Sequence, residues 1–234
     1  MTLILIGTGV SFDLTLSAIE AIKGADEVYI ETYTNPVGEG KIASLGKLAG
    51  KEVKTLPRDN VESSFLVEKA ADSDVCLLAS GDPLTATTHV TLLMDAKKKG
   101  IAVRTIHNSS IYTAAPGMAG LQIYRFGKTA SLVNPRPNYK PTSSLEIIRR
   151  NLENDMHSLV LLDTEPEPME AGVALEMLTE FDSAIVLSCV GEADARITYG
   201  RISELKRKDL GKVPFAIIIP AKLHPTEEEF LAQI

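Results

Sequence analysis

The stretch Ser80-Gly81-Asp82-Pro83 closes the apolar run DVCLLAS and leads into LTATTH, and it brings together groups suited to holding a ligand. Gly81 permits close backbone approach, Asp82 supplies a carboxylate, and Pro83 fixes the chain as it leaves a strand-like segment. A carboxylate suits a cationic ligand better than a phosphate. Thr85, Thr87 and Thr88 add hydroxyls near the same rim. The plainer reading of Asp82-Pro83 is a helix N-cap followed by proline at the first helical position, and capping is compatible with ligand contact.

Two further strand ends carry polar or permissive residues. ILIGTGVSFD puts Gly7 and Gly9 where a dinucleotide fold places its phosphate-binding turn, but Phe12 stands where G-x-G-x-x-G has its third glycine. Glu31, at the end of EVYIETY, imitates the acidic ribose ligand of such folds, so a nicotinamide-dependent oxidoreductase is one reading. In HNSSIYTAAPG, Ser109 and Ser110 can cap the next helix or face a ligand. Three strand ends thus converge as candidates. His89, His107, His157 and His224 show no metal-ligand spacing, and no metal site is expected. Cys76 and Cys189 lie in apolar runs and read as reduced, buried small hydrophobes. A Ser-His-Asp hydrolase lacks its G-x-S-x-G elbow.

These positions need a scaffold. The first half alternates strand-like LILIGTG, EVYIETY, a short strand near 52 to 56, DVCLLAS and IAVRTIH with helical patterns, among them LTLSAIEAIKGAD, 40 to 50, 61 to 71 and HVTLLMDAKKKG. Such alternation predicts parallel βαβ units, and the continuous apolar runs predict a sheet covered on both faces. After HNSSIYTAAPGMAG the pattern restarts with TASLV, SLVLLD, AIVLSCV, ITYGR and FAIII, and helices fit at 142 to 154 and 168 to 180. The short gap between AIVLSCV and ITYGR predicts a hairpin and a mixed sheet. The expected architecture is therefore two α/β domains, 1–108 and 109–234, with a cleft between them. Asn134 to Pro141, rich in proline, reads as a loop that serves as a connector or a lid.

The totals bound the function. The 234 residues are 44% hydrophobic and 24% charged, ordinary for a globular protein. No apolar run approaches the ~18 residues of a membrane span, and no basic leader precedes the first strand, so a cytoplasmic protein is expected. A net charge of −7 argues against a nucleic-acid substrate gripped through phosphates. Lys97-Lys98-Lys99 reads as the basic end of a helix before Gly100.

Taken in order, GTG after the first strand, GDPLTATTH after the fourth, SSIYTAAPGMAGLQIYRFGKTA after the fifth, then HSLVLLD and PAKLH, resemble the tetrapyrrole methylase superfamily over nearly the whole chain. The phrases are most similar to the branch that modifies translation elongation factor 2. This resemblance implies an S-adenosylmethionine-dependent methyltransferase of two α/β domains, with the cofactor in the cleft, assembled as a homodimer. It implies trimethylation of the amino group of a 3-amino-3-carboxypropyl-histidine on the elongation factor, which gives diphthine in diphthamide biosynthesis. Carried onto matching positions, the cofactor contacts fall at Val10, Asp82, Thr85, Ser110, Ile111, Leu162, Val190 and Phe215.

Several of these are apolar, which fits backbone contacts to adenine and the methionine portion. Relatives can carry histidine at Phe215, the segment after Leu162-Asp163 is shorter than the family pattern, and the chain stops soon after PAKLHPTEEEF. The resemblance names no general base; Asp82 is the one motif carboxylate, and its expected task is to orient the cofactor. His224 and Glu227 face either the substrate or the protein's own surface and core. A corrin-precursor methyltransferase, and a cofactor sensor without turnover, are the further alternatives.

Overall fold

The computed structural model describes residues 1–136 and 142–234. They form two units, Met1–Ser110 and Ile111–Ile234.

The first unit runs β1 (Thr2–Gly7), α1 (Leu16–Gly24), β2 (Glu27–Glu31), α2 (Glu39–Ala49), β3 (Lys54–Leu56), α3 (Arg58–Val61), α4 (Phe65–Asp72), β4 (Val75–Ala79), α5 (Val90–Lys98) and β5 (Ala102–Ile106). Its strands pair in the order β3-β2-β4-β1-β5, every pair parallel. The apolar runs are continuous because successive side chains enter two different cores. Ile4, Ile6, Cys76 and Leu78 pack with Ile22 of α1 and Leu45 of α2. Leu3, Leu5, Val75 and Leu77 pack on the opposite face with Leu66 of α4 and Leu92 of α5. The single helix expected over 61 to 71 is instead the short α3 followed by α4, with Ser63 bonding Asn60 and Phe65 at the break.

The second unit runs α6 (Ile111–Met118), a 3₁₀ turn at Ile123–Arg125, β6 (Ala130–Leu132), α7 (Ser143–Glu153), β7 (Ser158–Leu162), α8 (Ala171–Met177), β8 (Ser183–Ser188), β9 (Arg196–Arg201), α9 (Ile202–Leu205), β10 (Phe215–Ile219) and α10 (Pro225–Leu231). The strand order is β6-β7-β10-β8-β9. β6 and β7 are parallel and the other pairs antiparallel, with β8 and β9 joined as the expected hairpin. The sheet is again covered twice, by Ile148, Leu175 and Leu205 on one face and by Ala115 and Leu231 on the other. Of the loop expected at 134 to 141, positions 137–141 lie outside the described residues. Asn134 before them is anchored, its main-chain N–H donating to Asp163 Oδ2 at 3.0 Å and its side-chain amide to the Glu167 carbonyl at 3.0 Å.

Candidate active site

The strand order of the first unit places β1 between β4 and β5, so the loops leaving these three strands meet at the carboxyl end of the sheet. The chain leaves β1 toward β2 on one side and β4 toward β5 on the other, which makes the β1/β4 boundary the switch point where open α/β sheets hold ligands. Two glycines join the loops there. Gly9 N–H donates to the Gly81 carbonyl at 3.0 Å, and Gly81 N–H returns the bond to Gly9 at 3.2 Å. Both sit at positive φ, 71° and 69°, where a side chain would be strained. Gly7 has no room for one: a Cβ would lie 2.5 Å from the Gly81 carbonyl oxygen.

Asp82 is buried beneath this clasp. Its Oδ1 accepts from Leu84 N–H at 3.0 Å and from the Thr85 hydroxyl at 3.2 Å. Oδ2 accepts from His107 Nδ1 at 2.7 Å and Asn108 N–H at 3.3 Å. Burial alone would favour the neutral acid, but the bonds from Leu84, His107 and Asn108 outweigh it and hold the carboxyl below its ordinary range. The capping expectation for Asp82-Pro83 fails for a related reason. Asp82 closes an Asx turn on Leu84 and Thr85, while the Thr87 hydroxyl (2.8 Å) and His89 Nδ1 (2.9 Å) both donate to the Pro83 carbonyl, so the chain turns on itself and α5 begins only at Val90. His89, fully enclosed, also accepts from the Tyr33 hydroxyl through Nε2 at 3.1 Å; burial lowers its pKa and keeps it neutral. It is a staple of the loop.

Glu31 does not serve as a ribose ligand. Its side chain is 0% exposed, and Oε2 accepts from the amides of Tyr33 (3.1 Å) and Thr34 (2.9 Å), so the carboxyl organises its own turn. Burial raises its pKa. Phe12 takes the left-handed backbone of the missing third glycine, φ 55°, yet fills the space with a buried ring under Lys41, whose Nζ lies 4.6 Å from the ring centroid. The nicotinamide reading therefore loses its acidic ligand and its third glycine.

Of the positions expected to contact the cofactor, Val10, Asp82, Thr85 and Ser110 belong to this rim. Val10 N–H donates to the Ser109 hydroxyl at 3.2 Å, and Ser110 is buried. Ile111, Leu162, Val190 and Phe215 belong to the second unit. There Leu162 ends β7, Val190 follows β8 and Phe215 opens the antiparallel β10, so these three gather at one end of that sheet. The Phe215 ring lies in the core, and Leu162 packs against the same cluster.

Sequence reasoning missed His107 and Asn108. Asn108 ties the three loops together, its side-chain amide donating to the carbonyls of Gly7 (3.0 Å) and Asp13 (2.8 Å). Their place at a strand's carboxyl end was the available signal. Glu227, read as a substrate or core residue, is wholly buried in the second unit. It accepts from Gln122 N–H (3.0 Å), Arg125 (2.6 Å) and His224 N–H (2.8 Å), and forms a capping box with His224 at the start of α10. Both residues are structural. Cys76 is buried in β4; Cys189, also buried, has left β8 for a turn at φ 51°, its thiol facing the Lys212 and Val213 carbonyls. Among the described residues, no group of three His, Cys, Asp or Glu is placed to hold a metal ion.

The family of Tetrapyrrole (Corrin/Porphyrin) Methylases matches residues 2–206, and the chain belongs to it. Within that family its similarity is to the diphthine synthases. The diphthine synthase of Methanocaldococcus jannaschii is 38% identical, the match covering 98% of this chain and 97% of that protein. That of Methanothermobacter thermautotrophicus is 37% identical over 95% of this chain and 90% of its own. A crystal structure of diphthine synthase superposes with a TM-score of 0.92 at 34% identity, covering 100% of this chain and 95% of the other.

Proposed function

We propose that the protein is a diphthine synthase, which uses S-adenosylmethionine to trimethylate the amino group of 3-amino-3-carboxypropyl-histidine on translation elongation factor 2. The ionised Asp82 beneath a glycine clasp at the switch point is the observation that carries this reading. S-adenosylmethionine supplies an electrophilic methyl group on a sulfonium cation, and an anionic rim with close backbone access suits a cation of that size. Val10, Asp82, Thr85, Ser110, Ile111, Leu162, Val190 and Phe215 are the proposed contacts. Because the four hydrogen bonds use the acceptor positions of Asp82, its contribution is negative charge and loop shape. Contacts at Leu162, Val190 and Phe215 come through the backbone, since these side chains pack against their own unit.

Methyl transfer is an in-line displacement that needs alignment, with reacting atoms held at about 3 to 3.5 Å. The protein's work is to position, to exclude water and to receive protons from the amine, which must be neutral to offer its lone pair. A cytoplasmic homodimer completes the reading; among the described residues no helix is long and apolar enough to cross a membrane.

Mass spectrometry of elongation factor 2 bearing the modified histidine, incubated with this protein and S-adenosylmethionine, tests the reading. Three successive methyl additions at that residue are expected. Cofactor binding with no addition would overturn it and direct attention to corrin precursors.

A further inference from the structure

We infer that His107 is the proton acceptor of the methylation reaction, with Asp82 as the group that orients it. This rests on the methyltransferase reading above and assigns that same rim its base. His107 stands at the carboxyl end of β5 with its side chain 66% exposed, while its Nδ1 lies 2.7 Å from an Asp82 carboxylate that is 10% exposed. An ionised Asp82 can only accept, so the ring proton sits on Nδ1 and the lone pair on Nε2 points away from the pair. Among the described residues Nε2 has no partner. Among the described residues Asp82 is the one charged group bonded to the ring; Asp13, on the loop after β1, joins the same strand ends through its main-chain carbonyl, which takes the Asn108 amide.

The other histidines do not offer this arrangement. His89 and His157 are buried with both ring nitrogens engaged, His89 by Pro83 and Tyr33, His157 by Glu227 and the Ala221 N–H. His224 spends Nδ1 on capping α10 and has no carboxylate on its ring. His107 alone among the four joins an orienting carboxylate to an open, exposed Nε2.

The proton balance needs such a group. In each round the amine lone pair forms the new N–C bond while the S–C bond breaks and its electron pair leaves with sulfur. After the first and second rounds the nitrogen is a cation that still carries a proton, and it must lose one before reacting again. That proton passes to Nε2 of His107 and from there to water. The third round leaves a quaternary nitrogen and needs no base afterwards.

The experiment compares the wild-type protein with His107→Gln on elongation factor 2 carrying the unmethylated precursor. Methylation rate is followed against pH, S-adenosylmethionine affinity by calorimetry, and the ring tautomer by nitrogen NMR. At saturating S-adenosylmethionine, as set by the calorimetry, the inference expects a rate about 10²-fold lower near neutrality. In the variant the rate should climb about tenfold per pH unit, through the range in which the wild-type curve is level, as the free amine deprotonates unaided. The neutral ring of the wild-type protein should carry its proton on Nδ1, and Asp82→Asn should abolish that preference. Identical pH profiles for wild type and His107→Gln, or a wild-type ring protonated at Nε2, would overturn the base assignment while leaving the methyltransferase reading intact. No methylation by the wild-type protein would remove both.

Discussion

Two acidic side chains at neighbouring strand ends of the first unit have been driven in opposite directions by their surroundings. Asp82 is buried but receives four donors and stays charged; Glu31 is buried more completely, receives two amides on one oxygen, and is pushed toward the neutral acid, its Oε1 lacking a hydrogen-bond partner. At Glu31 burial is the larger effect and raises the pKa, whereas at Asp82 the hydrogen bonds outweigh burial. For Glu31 the folded chain keeps its proton beyond the pH at which the unfolded chain releases it. Its favourable contribution is therefore greatest below the unfolded value of about 4.3 and is lost as pH rises toward the folded value. Glu31→Gln, which stays neutral, should gain stability relative to the wild type as pH rises above the unfolded value of about 4.3. Urea unfolding of the two proteins across that range checks it; a difference that stays constant with pH would contradict the burial of a protonated acid.

At the scale of elements, the loops set the geometry more than the strands do. Gly7→Ala would drive a methyl group into the Gly81 carbonyl, which is main chain and cannot step aside. The expected cost is about 1–3 kcal/mol of stability, with weaker S-adenosylmethionine binding because the Gly9–Gly81 pair must open. Thermal melting and calorimetry check this, and an unchanged affinity would separate the clasp from the cofactor. The strands were legible in the sequence because a two-face core forces continuous apolar runs, and the hairpin because its connection was too short for a crossover. The loop after Pro83 was not. A cap-and-proline signal is local, whereas what holds residues 82 to 89 is a set of bonds converging on the Pro83 carbonyl and reaching across to Tyr33. Asp82 stood out in the sequence because its neighbours are glycine and proline; His107 and Asn108 did not, because their significance comes from the strand order that brings β5 beside β1.

For the molecule as a whole, each unit encloses one neutral histidine. His89 in the first and His157 in the second are fully buried, and burial lowers the pKa of both. The unfolded chain binds protons at these positions from about pH 6.5 downward, while the folded chain resists. Their stabilisation is therefore complete above that pH and declines below it. The carboxylates with depressed pKa, Asp82 and Glu227, lose theirs only below about pH 4. Acid should thus lower the melting temperature in two stages, and His89→Gln should reduce the upper stage. Calorimetric melts across the pH range would show it; a single fall confined below about pH 4 would contradict the neutral state of both rings.

The Gly9–Gly81 bond pair has a further consequence for how such a chain can change over generations. Each glycine reaches its partner only if the number of residues between it and its own strand is kept, so the lengths of two segments far apart in sequence are tied together. An insertion in either would slide one glycine past the other and put a side chain at a positive φ. Lineages can lengthen or shorten these segments only by matched events in both, so a gap in one segment of an aligned relative should be accompanied by a compensating gap in the other.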